Sequence, residues 1–507
     1  MPRTRKLFSI RIAIDMSSSD PGSTGFSAFD PATGEALDAD FPIATWAVLD
    51  ELAGNAAAAF EVGAEADTVA AFLEAYADRI DANAASLAAV AARETGLPEE
   101  GRLKNGEIPR TSGQLRQAAA AVRDGAWARP TISDGNIRSI LEPLGPTVVI
   151  GPNNFPFAFN GVCGGDFAAA IGAGCPVIAK GHPHHPATCR DLAALMKEAA
   201  KAVGLLDGWV SFFYDCTPED GLKLVRDPRI AAVAFTGSQR AGLSIKAACD
   251  ETGTVGHFEL GSVNPLFILP GALEERAEEI VDELTTSALL GGGQFCTQPG
   301  IVVLPAGEAT TKFASQLQEK FDAAPTPPLL SEAVVTGLEE GTKTLRKAGA
   351  NVLPSAPSPD EPGYRYPNTV LAVPGERFLE DPNAFQTECF GPASLLVTRT
   401  DAEQRLAIAR TLHGQLTATI YSDTHGADDA EYGPLAAILR RRCGRLLNDK
   451  MPTGVAVVPA MNHGGPYPAS GHPHFTAVGI PASMTRFTRL ACYDNVRNDR
   501  LPAALRD

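Results

Sequence analysis

No run of apolar residues in this chain approaches the ~20 needed to cross a bilayer as a helix, so nothing supports membrane insertion of that kind. Cysteine is sparse and unpaired in pattern: the 9 thiols are odd in number, scattered from Cys163 to Cys492, and contain no C-x-x-C pair. That excludes a disulfide framework and points to reduced thiols in the cytoplasm. Positive charge is in deficit, 43 Lys and Arg against 60 Asp and Glu, and a net charge of −17 argues against nucleic acid as a partner. No internal repeat or long low-complexity segment is present, and the Pro-rich "LPSAPSPDEPGYRYP" is expected as a surface loop between units. The opening "MPRTRKLFSIRIAIDMSSSDPGSTG" has the basic residues of a signal peptide, but Arg11 and Asp15 break its apolar run and no small-residue cleavage site follows. Residues 1–20 are expected to be a flexible tail, with Met16 a second plausible start beside Met1.

What remains is a soluble globular composition, 44% hydrophobic and 20% charged. At 507 residues the chain is too long for one core and implies two or three domains. Residues 44–126 are alanine-rich with apolar residues at helical spacing, as in amphipathic helices that cover a sheet. The pattern then changes. "PTVVIGP", "CPVIAKG" and "IAAVAFTGS" read as short apolar strands, each leading into a helix, near 160–172, 186–203 and 239–249. "PLFILP", a helix around 272–291, "GIVVLP" and "LTATIYS" continue the theme. Alternation of this kind predicts an α/β fold with parallel sheets covered on both faces.

Several residue groups carry possible chemistry. In "ALLGGGQFCTQPG", Gly291 to Gly293 precede Cys296, and glycines there let the backbone turn sharply and let another group approach. A buried structural cysteine needs neither, although most lone cysteines are structural. "FTGSQRAG" places Gly237, Ser238 and Gly242 where a strand meets a helix, suited to a phosphate at the helix N-terminus or to an ordinary turn. Lys180 ends an apolar strand, the end at which open α/β sheets bind ligands, or it is simply solvated there. Glu259 is a general base or a cap, and Asn154 an oxyanion donor or an Asn-turn. "QTECFGP" offers Glu388 and Phe390, with an exposed acid and a turn proline as the plainer reading.

Taken in order, Asn-Phe-Pro, Lys, Phe-Thr-Gly-Ser, Glu-Leu-Gly, Gly-Gln-x-Cys and Glu-x-Phe-Gly-Pro resemble the aldehyde dehydrogenase superfamily, over about residues 25 to 495. "RLKNGEIPRTSGQLR", "NNFPFAFNGVCGGDFAAAIGAGCPVIAKGHPHHPAT" and "MNHGGPYPAS" are similar to one branch, the α-ketoglutaric semialdehyde dehydrogenases and related NADP-using bacterial enzymes. The resemblance implies a Rossmann-like nucleotide-binding domain over 21–128 and 147–258 and a catalytic domain over 259–465. A small β oligomerisation flap is implied over 129–146 and 466–507, hence a homodimer or homotetramer. It implies Cys296 as nucleophile, Asn154 as oxyanion donor and Glu259 as hydrolytic base. Lys180, Pro183, Gly237, Ser238, Gly242, Glu388 and Phe390 fall to the cofactor, NADP or NAD. Pro183 stands where NAD-specific relatives often carry an acid, while "YDCTPEDG" lacks the arginine of some NADP users, so both nucleotides stay open.

For the substrate, Arg110 and Gln114, one helical turn apart, are expected to meet a distal carboxylate, with Phe155, Phe159 and Phe295 as apolar walls. The plainer alternative makes Arg110 a surface residue paired with Glu107. No metal is expected; similar His-Pro runs to His182, His184 and His185 follow the lysine in this branch without one, and His463 is expected to shape the substrate mouth. Cys163 and Cys175 read as core, and Asn160 stands where the branch carries a serine. The expected activity is oxidation of α-ketoglutaric semialdehyde to α-ketoglutarate, with medium- or long-chain aldehydes as the alternative. A coenzyme A-acylating relative is opposed by Glu259, and a non-catalytic protein on the same fold by the intact Cys–Glu–Asn set.

Overall fold

The computed structural model describes residues 25–354, 361–473 and 476–507; the expected tail over 1–20 and the middle of the Pro-rich loop lie outside them. The short apolar strands assemble into a five-stranded sheet in the order Val255–Glu259, Ala232–Thr236, Thr147–Ile150, Val177–Lys180, Val210–Phe213. Every pairing in it is parallel. Because helices cover both faces, the strands are mostly apolar rather than alternating, with polar residues such as Lys180, Thr236 and Glu259 at their carboxyl ends. One face packs on the helices Ala66–Ala82, Ile108–Asp124 and Pro186–Val203, where Phe72, Tyr76, Phe167 and Trp209 fill the core. Thr147–Ile150, the earliest of these five strands in the chain, is central, and the order reverses on its two sides, which creates a crevice at the carboxyl ends.

A second, seven-stranded sheet runs Asn351–Val352, Thr369–Pro374, Ala393–Thr400, Ile301–Pro305, Leu266–Ile268, Gln415–Tyr421, Cys443–Asn448. Only its first strand pairs antiparallel. The two-residue period separates its cores: Leu266 and Val302 join Phe313 and Phe321 on one face, Phe267 and Val303 join Leu371 and Phe378 on the other. A third, antiparallel sheet joins Thr131–Ser133, Ile137–Pro143 and Thr488–Asp494, turning at Gly135 and Asn136, both with positive φ. Arg138 ties it to the C-terminus through Asp507 at 2.9 Å.

Two expectations shift. The helix expected from residue 160 starts at Gly165 and runs to Gly172, because the Asn160 side chain accepts from Val162 N (3.0 Å) and donates to Pro156 O (2.8 Å), giving the backbone a turn instead. In the C-terminal part of the expected flap, 466–507, the strand is confined to Thr488–Asp494, preceded by the tight turns of Ala482–Phe487; residues 474 and 475 lie outside the described residues.

Candidate active site

The loop that carries Cys296 is shaped by its glycines. Gly291, Gly292 and Gly293 all take left-handed φ (58°, 68° and 71°), a region that L side chains rarely adopt. A Cβ on Gly293 would lie 2.2 Å from the Gly391 carbonyl oxygen, so this loop touches the loop after Glu388 backbone to backbone. From the other side Asn264, itself at positive φ, donates its amide to the carbonyls of Cys296 (2.8 Å) and Gln298 (2.9 Å). Asn154, just beyond Thr147–Ile150, donates to Gln294 O at 2.9 Å, leaving its second N–H for another acceptor.

Glu259 ends the strand Val255–Glu259, and His463 enters from the segment that packs behind it. The Cys296 sulfur is 3.4 Å from His463 Nε2, and His463 Nε2 is 3.1 Å from Glu259 Oε1. One ligand-type atom from each of the three lies within 4.8 Å of the other two. His463 and Glu259 approach without the alignment of a hydrogen bond, and both carboxylate oxygens are buried. Burial, and then the Glu259 carboxylate, push the Cys296 thiol well above its usual range. Sulfur here is therefore a thiol that must hand its proton on before it attacks. His463, expected at the mouth of the site, instead stands beside the nucleophile, in contact with Phe159 at 5.7 Å between ring centroids.

Phe155, Phe159 and Phe295 cluster as expected of apolar walls, with edge-to-face contacts of 5.1 and 5.4 Å between centroids. Two guanidinium groups lie over them: Arg102 at 4.3 Å from Phe155 and 5.0 Å from Phe295, and Arg110 at 5.0 Å from Phe159. Arg110 does not pair with Glu107 on the surface. Its Nη1 donates to Val455 O at 3.1 Å, while Nε and Nη2 are buried without a partner. Desolvation pulls its pKa down, opposed by the charges of Glu107, Cys296 and Glu259. Glu107 pairs instead with Arg102 (2.9 Å) and accepts the amides of Phe157 (2.9 Å) and Ala158 (3.2 Å). The reason is local: Glu99–Glu107 is a π-helical segment, whose i→i+5 repeat brings residues five apart together where an α-helix would point them away. Gln114 is buried and donates to Ala158 O at 3.1 Å, supporting the Phe155–Phe159 loop. Arg445, half-buried and anchored on the carbonyls of Pro452 and Gly454, is a further cation whose pKa burial lowers.

The nucleotide-type residues gather at the carboxyl ends of the first sheet. Ser238 caps the helix Gln239–Thr252, accepting from Ala241 N, and Gly237 N donates to Glu259 O at 3.1 Å. Gly242 has no room for a side chain, since a Cβ would lie 2.1 Å from Leu260. Lys180 ends its strand and pairs with Asp215 at 2.7 Å, and Pro183 sits half-buried in the turn that follows. Glu388 accepts from Ser262 N (3.3 Å), and Gly261 lets it approach: a Cβ there would lie 2.3 Å from Oε2. Burial raises the Glu388 carboxyl to about 7, with Glu259 adding to the effect. Phe390, half-buried, follows two residues on. His185 is engaged by Pro152 O and Cys189 Sγ, both at 3.3 Å, and burial lowers His182, His184 and His185 alike.

A thiol near an amide donor and a buried carboxylate, beside a doubly wound sheet with a strand–glycine–helix turn at the same crevice, is the arrangement of an oxidoreductase of the aldehyde dehydrogenase type. Residues 17–433 match the Aldehyde dehydrogenase family, and the chain belongs to that family. It is an NAD(P)-dependent enzyme that oxidises aldehydes. Among curated relatives it is 37% identical to alpha-ketoglutaric semialdehyde dehydrogenase 2 of Azospirillum brasilense, over 96% of this chain and 94% of that one. It is 33% identical to alpha-ketoglutaric semialdehyde dehydrogenase of Acinetobacter baylyi, over 86% and 84%. Among solved structures, the NAD+ complex of an aldehyde dehydrogenase from Bacillus cereus aligns with a TM-score of 0.77 at 22% identity, covering 93% of each chain. No helix among the described residues is long and apolar enough to cross a membrane.

Proposed function

We propose that this enzyme oxidises α-ketoglutaric semialdehyde to α-ketoglutarate through covalent intermediates on Cys296. The thiol passes its proton to His463 as sulfur bonds to the aldehyde carbon, and the resulting oxyanion is met by the Asn154 amide. Gly237, Ser238 and Gly242 at the helix N-terminus, Lys180, Pro183, Glu388 and Phe390 would hold NAD or NADP. Supporting that fit, the helix Gln239–Thr252 starts at this turn, and bare glycine at 261 lets the Glu388 side chain reach into the crevice. When held there, the nucleotide would supply the hydride acceptor for oxidation of the Cys296-bound thiohemiacetal to a thioester. Glu259, whose carboxylate oxygens are buried, then takes a proton from water as it attacks the thioester, and the C–S bond breaks to free the acid.

The observation that carries the substrate class is Arg110: a guanidinium edge buried without a partner above Phe159, the ring that also touches His463. An unpaired buried charge is costly, and a carboxylate at the far end of a short aldehyde satisfies it. The test compares kcat/KM for the semialdehyde and for hexanal. Arg110→Ala is expected to lower the first by about 10–100-fold and leave the second nearly unchanged. Preference for long apolar aldehydes, indifferent to that substitution, would assign the aromatic pocket to them instead.

We further infer a cytoplasmic homodimer or homotetramer. Nine free thiols support a reducing compartment, and Ile132, Ile137 and Leu490 stand exposed on a small sheet with open edges. In this reading the domains divide at 21–128 and 147–258 for nucleotide, 259–465 for catalysis, and 129–146 and 466–507 for assembly.

A further inference from the structure

The side chains around Cys296 have the composition and spacing of a metal site as well as of a reaction centre. Cys296 Sγ, His463 Nε2 and a Glu259 carboxylate oxygen all lie within 4.8 Å of one another. The sulfur–nitrogen separation is 3.4 Å and the nitrogen–oxygen separation 3.1 Å. Zinc bonds of about 2.3 Å to sulfur and about 2.0 Å to nitrogen and oxygen, at tetrahedral angles, require edges of about 3.5 and 3.3 Å. Two edges of the triangle therefore fit to within about 0.2 Å. The third, from Cys296 to Glu259, needs a contraction of at most about 1.3 Å.

The donors are held in place and reachable. Asn264 fixes the Cys296 carbonyl at 2.8 Å, Glu259 bridges to Ser470 through its backbone, and His463 N donates to Thr476 Oγ1 at 3.2 Å. Glu259 and His463 are only 1% and 2% exposed, while Cys296 is partly open, so an ion can arrive on the sulfur side. A thiolate, an imidazole and a carboxylate suit zinc rather than magnesium or calcium, which take oxygen ligands. Thiolate and carboxylate together cancel a divalent charge, so the loaded cluster buries no net charge. The more conspicuous histidine run does not compete: His185 is engaged by Pro152 O and Cys189 Sγ. Among the described residues no other three Cys, His, Asp or Glu side chains converge in this way.

We propose that Cys296, His463 and Glu259 form an inhibitory zinc site that switches the enzyme off reversibly. Zinc bonds to sulfur as the thiol proton leaves for the buffer, and His463 Nε2 and Glu259 take two further tetrahedral positions, the fourth going to water. No electron is transferred, so a chelator that removes the ion returns the proton and the free thiol. While bound, the ion holds the sulfur that would attack the aldehyde and the carboxylate that would activate water. The inhibition, unlike the binding, rests on Cys296 as nucleophile of the proposed reaction.

The purified enzyme, stripped with EDTA, is titrated with Zn2+ against a chromophoric chelator, and with Co2+, whose thiolate-to-metal charge-transfer band reports a bond to sulfur. The wild type is expected to bind zinc with a Kd below about 1 μM and to show the cobalt band. Cys296→Ser should abolish the band, and Cys296→Ser, His463→Gln and Glu259→Gln should each weaken zinc by at least about 100-fold, with thermal melts confirming that each is folded. Cys492→Ser, which removes the exposed thiol, should leave the affinity unchanged. Free zinc at about ten times the Kd should lower wild-type turnover about tenfold, with recovery on adding EDTA. No binding below about 1 μM, an affinity unmoved in any of the three folded ligand variants, or one lost in Cys492→Ser overturns the site. Zinc bound there without loss of turnover overturns the inhibition and, with it, Cys296 as the nucleophile.

Discussion

The Cys296 sulfur and His463 Nε2 stand 3.4 Å apart, and the same nitrogen is 3.1 Å from Glu259 Oε1. An imidazole between thiol and carboxylate gives the proton somewhere to go at neutral pH, although burial and Glu259 hold the thiol protonated. His463→Gln is therefore expected to slow the first burst of reduced nucleotide by about 100-fold. In the variant the burst rate should climb about tenfold per pH unit, following the thiolate fraction, while the wild type is flatter. A wild-type burst and pH profile in His463→Gln would take the imidazole out of the proton path.

Cys296→Ala should abolish aldehyde oxidation while leaving nucleotide binding nearly intact, because the covalent bond and the cofactor rim use different residues. Residual turnover above about a thousandth of wild type would count against Cys296 as nucleophile.

Glu259→Gln separates the two half-reactions. A neutral amide cannot accept the proton of the attacking water, so a burst should precede a slow steady state. Unchanged steady-state turnover would remove Glu259 from thioester hydrolysis.

Glu107 is buried and holds three partners, the Arg102 guanidinium and the amides of Phe157 and Ala158. Glu107→Ala leaves Arg102 without its counter-charge above the phenyl rings and should cost about 3–5 kcal/mol in denaturant unfolding. It should also raise KM for aldehyde more than for nucleotide, since the loop it supports carries Phe155 and Phe159. A loss below about 1 kcal/mol would show that the pair is dispensable.

Glu388 titrates near 7 in the folded chain against an ordinary 4.5, chiefly through burial. Between those values unfolding releases a proton, so this group makes the fold less stable as pH rises from about 4.5 towards 7. Glu388→Gln should flatten the fall in Tm between pH 5 and pH 8. Parallel Tm curves for the two proteins would show that the carboxyl ionises normally.

Much of the site is legible in the sequence because its residues sit at strand ends. Asn154, Lys180, Gly237 and Glu259 each follow or close a short apolar run, and the run locates them in the crevice before any contact is known. The triple glycine before Cys296 is legible for a different reason: three successive left-handed residues tolerate little else. His463 is marked by its motif and expected at the substrate mouth, but its contact with Cys296 is not legible, because the fold brings the two together across 167 residues. Arg102 and Glu107 are hidden by their spacing, which makes sense only in a π-helical segment. Strands such as Val210–Phe213 and Cys443–Asn448 are short or of mixed polarity, and their partners rather than their periodicity make them strands.

The close approach of Gly293 to the Gly391 carbonyl has a kinetic consequence. The loop bearing the nucleophile and the loop following Glu388 form one mechanical unit, with no side chain between them to absorb a shift. On the proposed assignment of Glu388 to the nucleotide, a nucleotide settling there would also set the position of Cys296, and occupancy of one site would be felt at the other. Such a unit favours an obligatory sequence of arrival, nucleotide first and aldehyde second. Product-inhibition patterns would report it as competition between oxidised and reduced nucleotide alone.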